Sequence, residues 1–125
     1  MGGGRFDDVT VATDQFNAQI YSPPYLFKGA RPVITSAPAT LSYGQVFSVQ
    51  TPDAARIASV SLVRFGATTH SFNAGQRFVP LSFTAGGGTL TVTAPASANL
   101  APGGNYMLFI LDSSGVPSVA AIVHF

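Results

Sequence analysis

The 125-residue chain contains no cysteine. Disulfides, zinc–thiolate sites and thiol nucleophiles are therefore excluded within it, while the compartment stays open, because a secreted domain need not use cysteine. Glutamate and tryptophan are absent too. Charge is scarce: 9% of residues are charged, and the six Lys and Arg face five Asp for a formal net charge of +1. No basic block exists, so no nucleic-acid partner is expected, and binding should depend little on ionic strength. No apolar run approaches the roughly 20 residues of a membrane span, so no membrane partner is expected either. The opening "MGGGRFDD" is glycine followed by charge and does not read as a signal peptide. Met1 ahead of a glycine run points to a segment of a longer protein.

What the chain does have is β composition. Hydrophobic residues make up 46%, with 13 Gly and 9 Pro as punctuation, and Val, Ile, Phe, Tyr and Thr are abundant. The length suits one domain able to bury a core without disulfide or metal. No window carries a helical stripe, whereas period-two alternation recurs. In "GTLTVTAP", Leu90, Val92 and Ala94 face one way and Thr89, Thr91 and Thr93 the other. In "RFVPLSF", Val79, Leu81 and Phe83 share a face, and Pro80 predicts an edge strand or a bulge, because it removes a ladder hydrogen bond. Val60 and Leu62 pair against Ser59 and Ser61, and Phe47 goes with Val49.

About seven strands are expected from Val33 onward: 33–36, 45–50, 58–65, 77–84, 88–94, 105–112 and 117–124. The turn signals "SYG", "TPDA", "TAGGG", "LAPGG" and "DSSGVP" separate them. This spacing predicts an all-β, Ig-like two-sheet sandwich. "LAPGGNY" reads as the tyrosine corner of such a sandwich, with Tyr106 opening a strand. "ASANL" (96–100) is expected to close a single helical turn. The runs "YMLFIL" (106–111) and "SVAAIVHF" (118–125) are apolar on both faces. They fit a central strand with a partly covered outer face, or a face that packs on another domain. Residues 1–30 differ. "VTVAT" and "AQIYSPPYLF" could each form a short strand before "SPP" and "KGARP" break the chain. Two strands make no core of their own, so 1–30 reads as the edge of a preceding domain or as strands lying against the sandwich.

Few constellations could carry chemistry. No G-x-S-x-G surrounds any serine, and "DSSG" (112–115) reads as a turn. Asp7 and Asp8 sit in the N-terminal stretch and Asp53 and Asp112 in expected turns, so no glycosidase-type carboxylate pair is expected. Neither "MGGGR" nor "TAGGGT" opens a helix, so neither is a phosphate cradle. The aromatics Tyr21, Tyr25 and Phe27 around "SPP" suit either a sugar-stacking platform or a cover for a sheet edge. His70 and His124 are the only histidines. They lack H-x-H spacing, and a firm metal site needs three or more convergent donors. By residue pattern alone, His70 is a loop histidine and His124 ends the last strand.

Four stretches taken in order resemble the C-terminal part of the galactose oxidase and glyoxal oxidase family of copper-radical oxidases. They are "GGGR", "FNAQIYSPPYLFKGARPVITSAP", "ASVSLVRFGATTHSFNAGQRFVPLSF" and "LAPGGNYMLFILDSSGVPSVA", and they span nearly the whole chain. The resemblance implies a seven-bladed, kelch-type propeller followed by an Ig-like early-set domain. Residues 1–30 would be the remnant of the last blade and a linker, and 31–125 the early-set sandwich. In the family a loop of that last domain delivers one histidine to copper near the propeller axis; the matching residue is His70. The other ligands, two tyrosines and a second histidine, come from the propeller, and one tyrosine is cross-linked to a cysteine. This chain, lacking cysteine, could not form that cofactor itself. Where the family pattern carries Asp before Gln-Arg, this chain has Gly75 before Gln76 and Arg77.

The resemblance implies a secreted parent that oxidises a small alcohol or aldehyde with O₂ to give hydrogen peroxide. Copper would be its cofactor, and the propeller of the same parent chain the partner of this domain. The isolated chain would be catalytically silent and bind no cofactor of its own. Residues 66–77 would be a functional loop on a rigid β pedestal, with Gln76 and Arg77 anchoring its base. A different class of function stays open: a non-catalytic Ig-like module that binds carbohydrate or protein, from an inactive propeller protein, with His70 unrelated to metal.

Overall fold

In "TLTVT" the inward Leu90 and Val92 are fully buried while Thr91 and Thr93 meet solvent, so the alternation read from the sequence is the alternation of the sheet. A computed structural model describes residues 19–125. Its strands are β1 (Val46–Gln50), β2 (Ile57–Arg64), β3 (Thr68–Thr69), β4 (Phe72–Asn73), β5 (Phe78–Leu81), β6 (Phe83–Gly86), β7 (Thr89–Thr93), β8 (Asn105–Asp112) and β9 (Ala121–His124). One sheet has the order β1-β7-β6 and the other β5-β2-β8-β9, with every pairing antiparallel. β3 and β4 form a separate two-stranded ribbon. The fold is thus all-β, two sheets face to face, as an Ig-like sandwich requires.

The core lies between the sheets. Val49, Leu62, Leu90, Val92, Tyr106, Leu108, Ile110 and Val123 are all fully buried, and each such aliphatic side chain contributes roughly 1.5–3 kcal/mol. At the tyrosine corner, the Tyr106 hydroxyl donates to the Pro102 carbonyl at 2.7 Å. Burial raises the Tyr106 phenol above its ordinary value, against smaller opposing effects of Arg64 and Arg77. Its ring packs at right angles to that of Phe125 at 5.6 Å, and Tyr43 stacks on Phe125 at 5.2 Å. "ASANL" does close one turn, with the Leu100 and Ala101 amides both donating to the Ser97 carbonyl.

Three expectations need correction. The segment 33–36 is not a strand. Ser36 makes an isolated bridge to Gln50, Thr40 makes another to His124, and Pro38 divides the two. The segment therefore crosses from the outer edge of β1 to the outer edge of β9. The expected strand 77–84 is two strands, because the chain switches sheets at Ser82. Pro80 lies on β5, an edge strand, as its missing donor predicts. Of "AQIYSPPYLF", the described residues 19–27 form no strand; after Pro23, Pro24–Phe27 closes a 3₁₀ turn with the Leu26 amide donating to the Pro23 carbonyl. "VTVAT", the first glycine run, Asp7 and Asp8 lie outside the described residues.

The segment entering the sandwich is clamped. Arg31 donates to the carbonyls of Pro117 and Ser118. Arg56 donates to Asp53, to the buried Asp112 and to the Ala30 carbonyl. Asp53 in turn accepts the Val33 amide at 2.8 Å. That hydrogen bond, with the Arg56 guanidinium, holds the Asp53 carboxyl below its ordinary value.

Candidate functional site

β2 and β5 do not stop at the edge of the sandwich. Residues 60–63 pair with 78–81, and 68–69 pair with 72–73, in one unbroken register. The Arg64 amide donates to Arg77 and the Ala74 amide to Ala67 between those two stretches. The chain from Val60 to Leu81 is therefore one long β-ribbon rooted in the core. Its two-residue tip is His70-Ser71. At about 3.3 Å per residue, the tip stands roughly 20 Å beyond the last sandwich pair.

Both tip residues have positive φ, 50° for His70 and 62° for Ser71. A two-residue hairpin with that signature is of type I′, whose twist matches the flanking strands and which normally takes Asn-Gly. His and Ser each cost about 1–2 kcal/mol there, because Cβ crowds the following carbonyl. His70 Nδ1 lies 2.8 Å from Thr69 Oγ1, and among the described residues Nε2 has no hydrogen-bond partner. Phe72, 64% exposed, sits beside the tip, and Phe65 and Phe78 expose their rings further down the ribbon.

The ribbon has one break, at 65–67 against 74–76. In the common register Gly66 stands opposite Gly75 there. Asn73 fills the break: its Oδ1 accepts the Ala67 amide at 2.9 Å and the Gly75 amide at 3.0 Å. Gly75 is buried, and a Cβ on it would lie 2.9 Å from the Phe65 carbonyl oxygen. Gln76 and Arg77, expected to anchor the base, are exposed; Arg77 contributes through its backbone carbonyl. Asn73 is the residue that pattern reading missed. Its signal was "NAG", an Asx-turn sequence whose side chain caps the backbone two residues on.

The histidines are not brought together. His124 ends β9 and pairs with the Asn105 side chain at 2.9 Å. No group of three or more His, Cys, Asp or Glu able to hold a metal exists among the described residues. Away from the tip, the outer face of the four-stranded sheet carries a shallow apolar groove of about 350 Å³ between Tyr25, Val63, Phe78, Phe109 and Leu111.

Compared with known families, residues 31–125 match the model described as "Galactose oxidase-like, Early set domain". The chain belongs to that family. The resemblance read from the sequence holds, and so does the Ig-like sandwich. This early-set chain is 36% identical to galactose oxidase of Gibberella zeae, an alignment covering 98% of the chain and 18% of that protein. It is 33% identical to the aldehyde oxidase GLOX of Vitis pseudoreticulata, over 85% of the chain and 22% of the relative. Among solved structures, a fungal alcohol oxidase of the AA5 family in complex with copper superposes with a TM-score of 0.86 at 35% identity. That match covers 98% of this chain and 27% of the other. The early-set chain thus spans about a fifth of the length of these curated relatives.

Proposed function

We propose that this chain serves as the C-terminal early-set domain of a secreted copper-radical oxidase, and that His70 donates one imidazole ligand to its copper. The observation that carries the reading is His70 at the strained tip of a ribbon anchored in the core. The donor set fits the metal: neutral imidazole is a good copper ligand. One donor alone does not hold the ion, so the remaining ligands belong to a partner domain, the propeller of the same parent. For Nε2 to bind, Nδ1 keeps its proton and donates it to Thr69 Oγ1, which orients the ring.

When bound, copper supplies the electron transfer for oxidising a small alcohol or aldehyde with O₂, with release of hydrogen peroxide. This chain's residues hold the ligand in place, and the exposed Phe65 and Phe72 suit a ribbon that enters an apolar channel. The half-buried Met107, Phe109 and Leu111 on the outer face of β8 suit packing against that same domain. Isolated from it, the chain is expected to be catalytically silent.

The test is His70→Ala in the full-length parent. Copper content measured by metal analysis is expected to fall well below one per protein, and peroxide release with it. Unchanged copper and activity would leave the chain as an Ig-like interaction module.

A further inference from the structure

We propose that Asn73 is a positioning residue for His70: it locks the one joint in the ribbon and so fixes the angle at which the finger leaves the sandwich. The value of that angle to copper rests on the ligand reading above; the locking itself does not.

Two facing glycines, Gly66 and Gly75, interrupt the ladder where the ribbon leaves the sheet. Glycine adopts the widest range of backbone conformations, so such a pair by itself makes a hinge. A hinge there would sweep His70 through an arc, because the tip lies several residue pairs further out. The Asn73 side chain removes that freedom. Its single Oδ1 accepts one amide from each strand, Ala67 on the outgoing one and Gly75 on the returning one. The Ala74 amide donating to Ala67 closes the same turn at 3.1 Å. The glycines make room for this. A Cβ at Gly66 would meet Asn73 Nδ2 at 3.0 Å, and one at Gly75 would meet the Phe65 carbonyl. Glycine pair and asparagine are thus one device, in which the missing side chains admit the amide that restores rigidity.

None of these residues belongs to the hydrophobic core, so local and global effects are separable. The experiment uses the isotope-labelled chain with Asn73→Ala and Asn73→Asp. In N73A the Ala67 and Gly75 amides should exchange at least about tenfold faster, as expected for two lost hydrogen bonds. Residual dipolar couplings of residues 68–73 should no longer fit one fixed orientation relative to β2 and β5, while the melting temperature stays within about 3 °C. N73D should restore protection and the single orientation, because a carboxylate accepts the same two amides. The proposal is overturned if N73A keeps one fixed orientation, if N73D does not rescue it, or if N73A lowers the melting temperature broadly, which would make Asn73 a general stability residue. These readouts need no copper, so a failure of the His70 ligand assignment in the parent would stand apart from them.

Discussion

Gly66 stands opposite Gly75 at the only interruption of the ribbon that carries His70. Of the two, Gly75 is hemmed in by backbone, with the Phe65 oxygen 2.9 Å and the Ala67 nitrogen 3.2 Å from where its Cβ would be. Neither neighbour is a flexible side chain that could yield. Gly75→Ala should therefore cost about 1–3 kcal/mol of local ribbon stability, by the usual penalty of overpacking. The check is hydrogen exchange at Ala74, whose bond to Ala67 must shift, with β7 and β8 amides as unaffected references.

The tip offers the opposite experiment. Ser71 has φ of 62°, where glycine carries no steric cost. Ser71→Gly should raise protection of the Thr69 and Phe72 amides by about threefold, since relief of Cβ strain slightly exceeds the entropy that glycine adds to the unfolded chain. A fall in protection would mean that the tip is not of type I′ in solution.

At the corner, Tyr106→Phe removes the donor that meets the Pro102 carbonyl while keeping the buried ring. The carbonyl loses its partner in a partly buried site, a cost of about 1–2 kcal/mol. Urea denaturation should show this as a lower midpoint with an unchanged slope.

Acid should weaken the clamp on the entering segment. The Asp53 carboxyl is held below its ordinary value near 3.8, first by the Val33 amide and then by Arg56. The folded state therefore binds fewer protons than the unfolded one as pH falls through that range. The contribution is complete above about pH 4 and is lost as pH drops through 3.8 toward the folded value. Asp53→Asn should destabilise the chain at pH 6, and the deficit should shrink progressively as pH falls below 3.8. A deficit that stays constant across this range would assign the loss to geometry rather than charge.

Much of the sandwich was legible because its strands obey one period. Leu90 and Val92, or Tyr106, Leu108 and Ile110, state their burial by alternation, and Pro80 states its edge. The switch at Ser82 was not legible. Val79, Leu81 and Phe83 all turn inward, and a strand that crosses between facing sheets can keep that parity, so the pattern shows no seam. The 33–36 segment carries strand-like residues but has only Gln50 to pair with before Pro38. At the site, nothing local distinguished His70 from an ordinary loop histidine; the resemblance singled it out. Asn73 was invisible because its role depends on two amides that the register brings together.

The unbroken register also makes the ribbon a ruler. Its reach is counted in residue pairs, so length cannot change by arbitrary amounts. One added pair would carry His70 about 3.3 Å outward and turn it to the opposite face, and two pairs, about 6.6 Å, would be needed to regain the original side. A protein that had to retune where this imidazole arrives would find small corrections closed to it along the strands. They would have to come from the angle at Gly66 and Gly75, or from the depth at which the sandwich itself is seated.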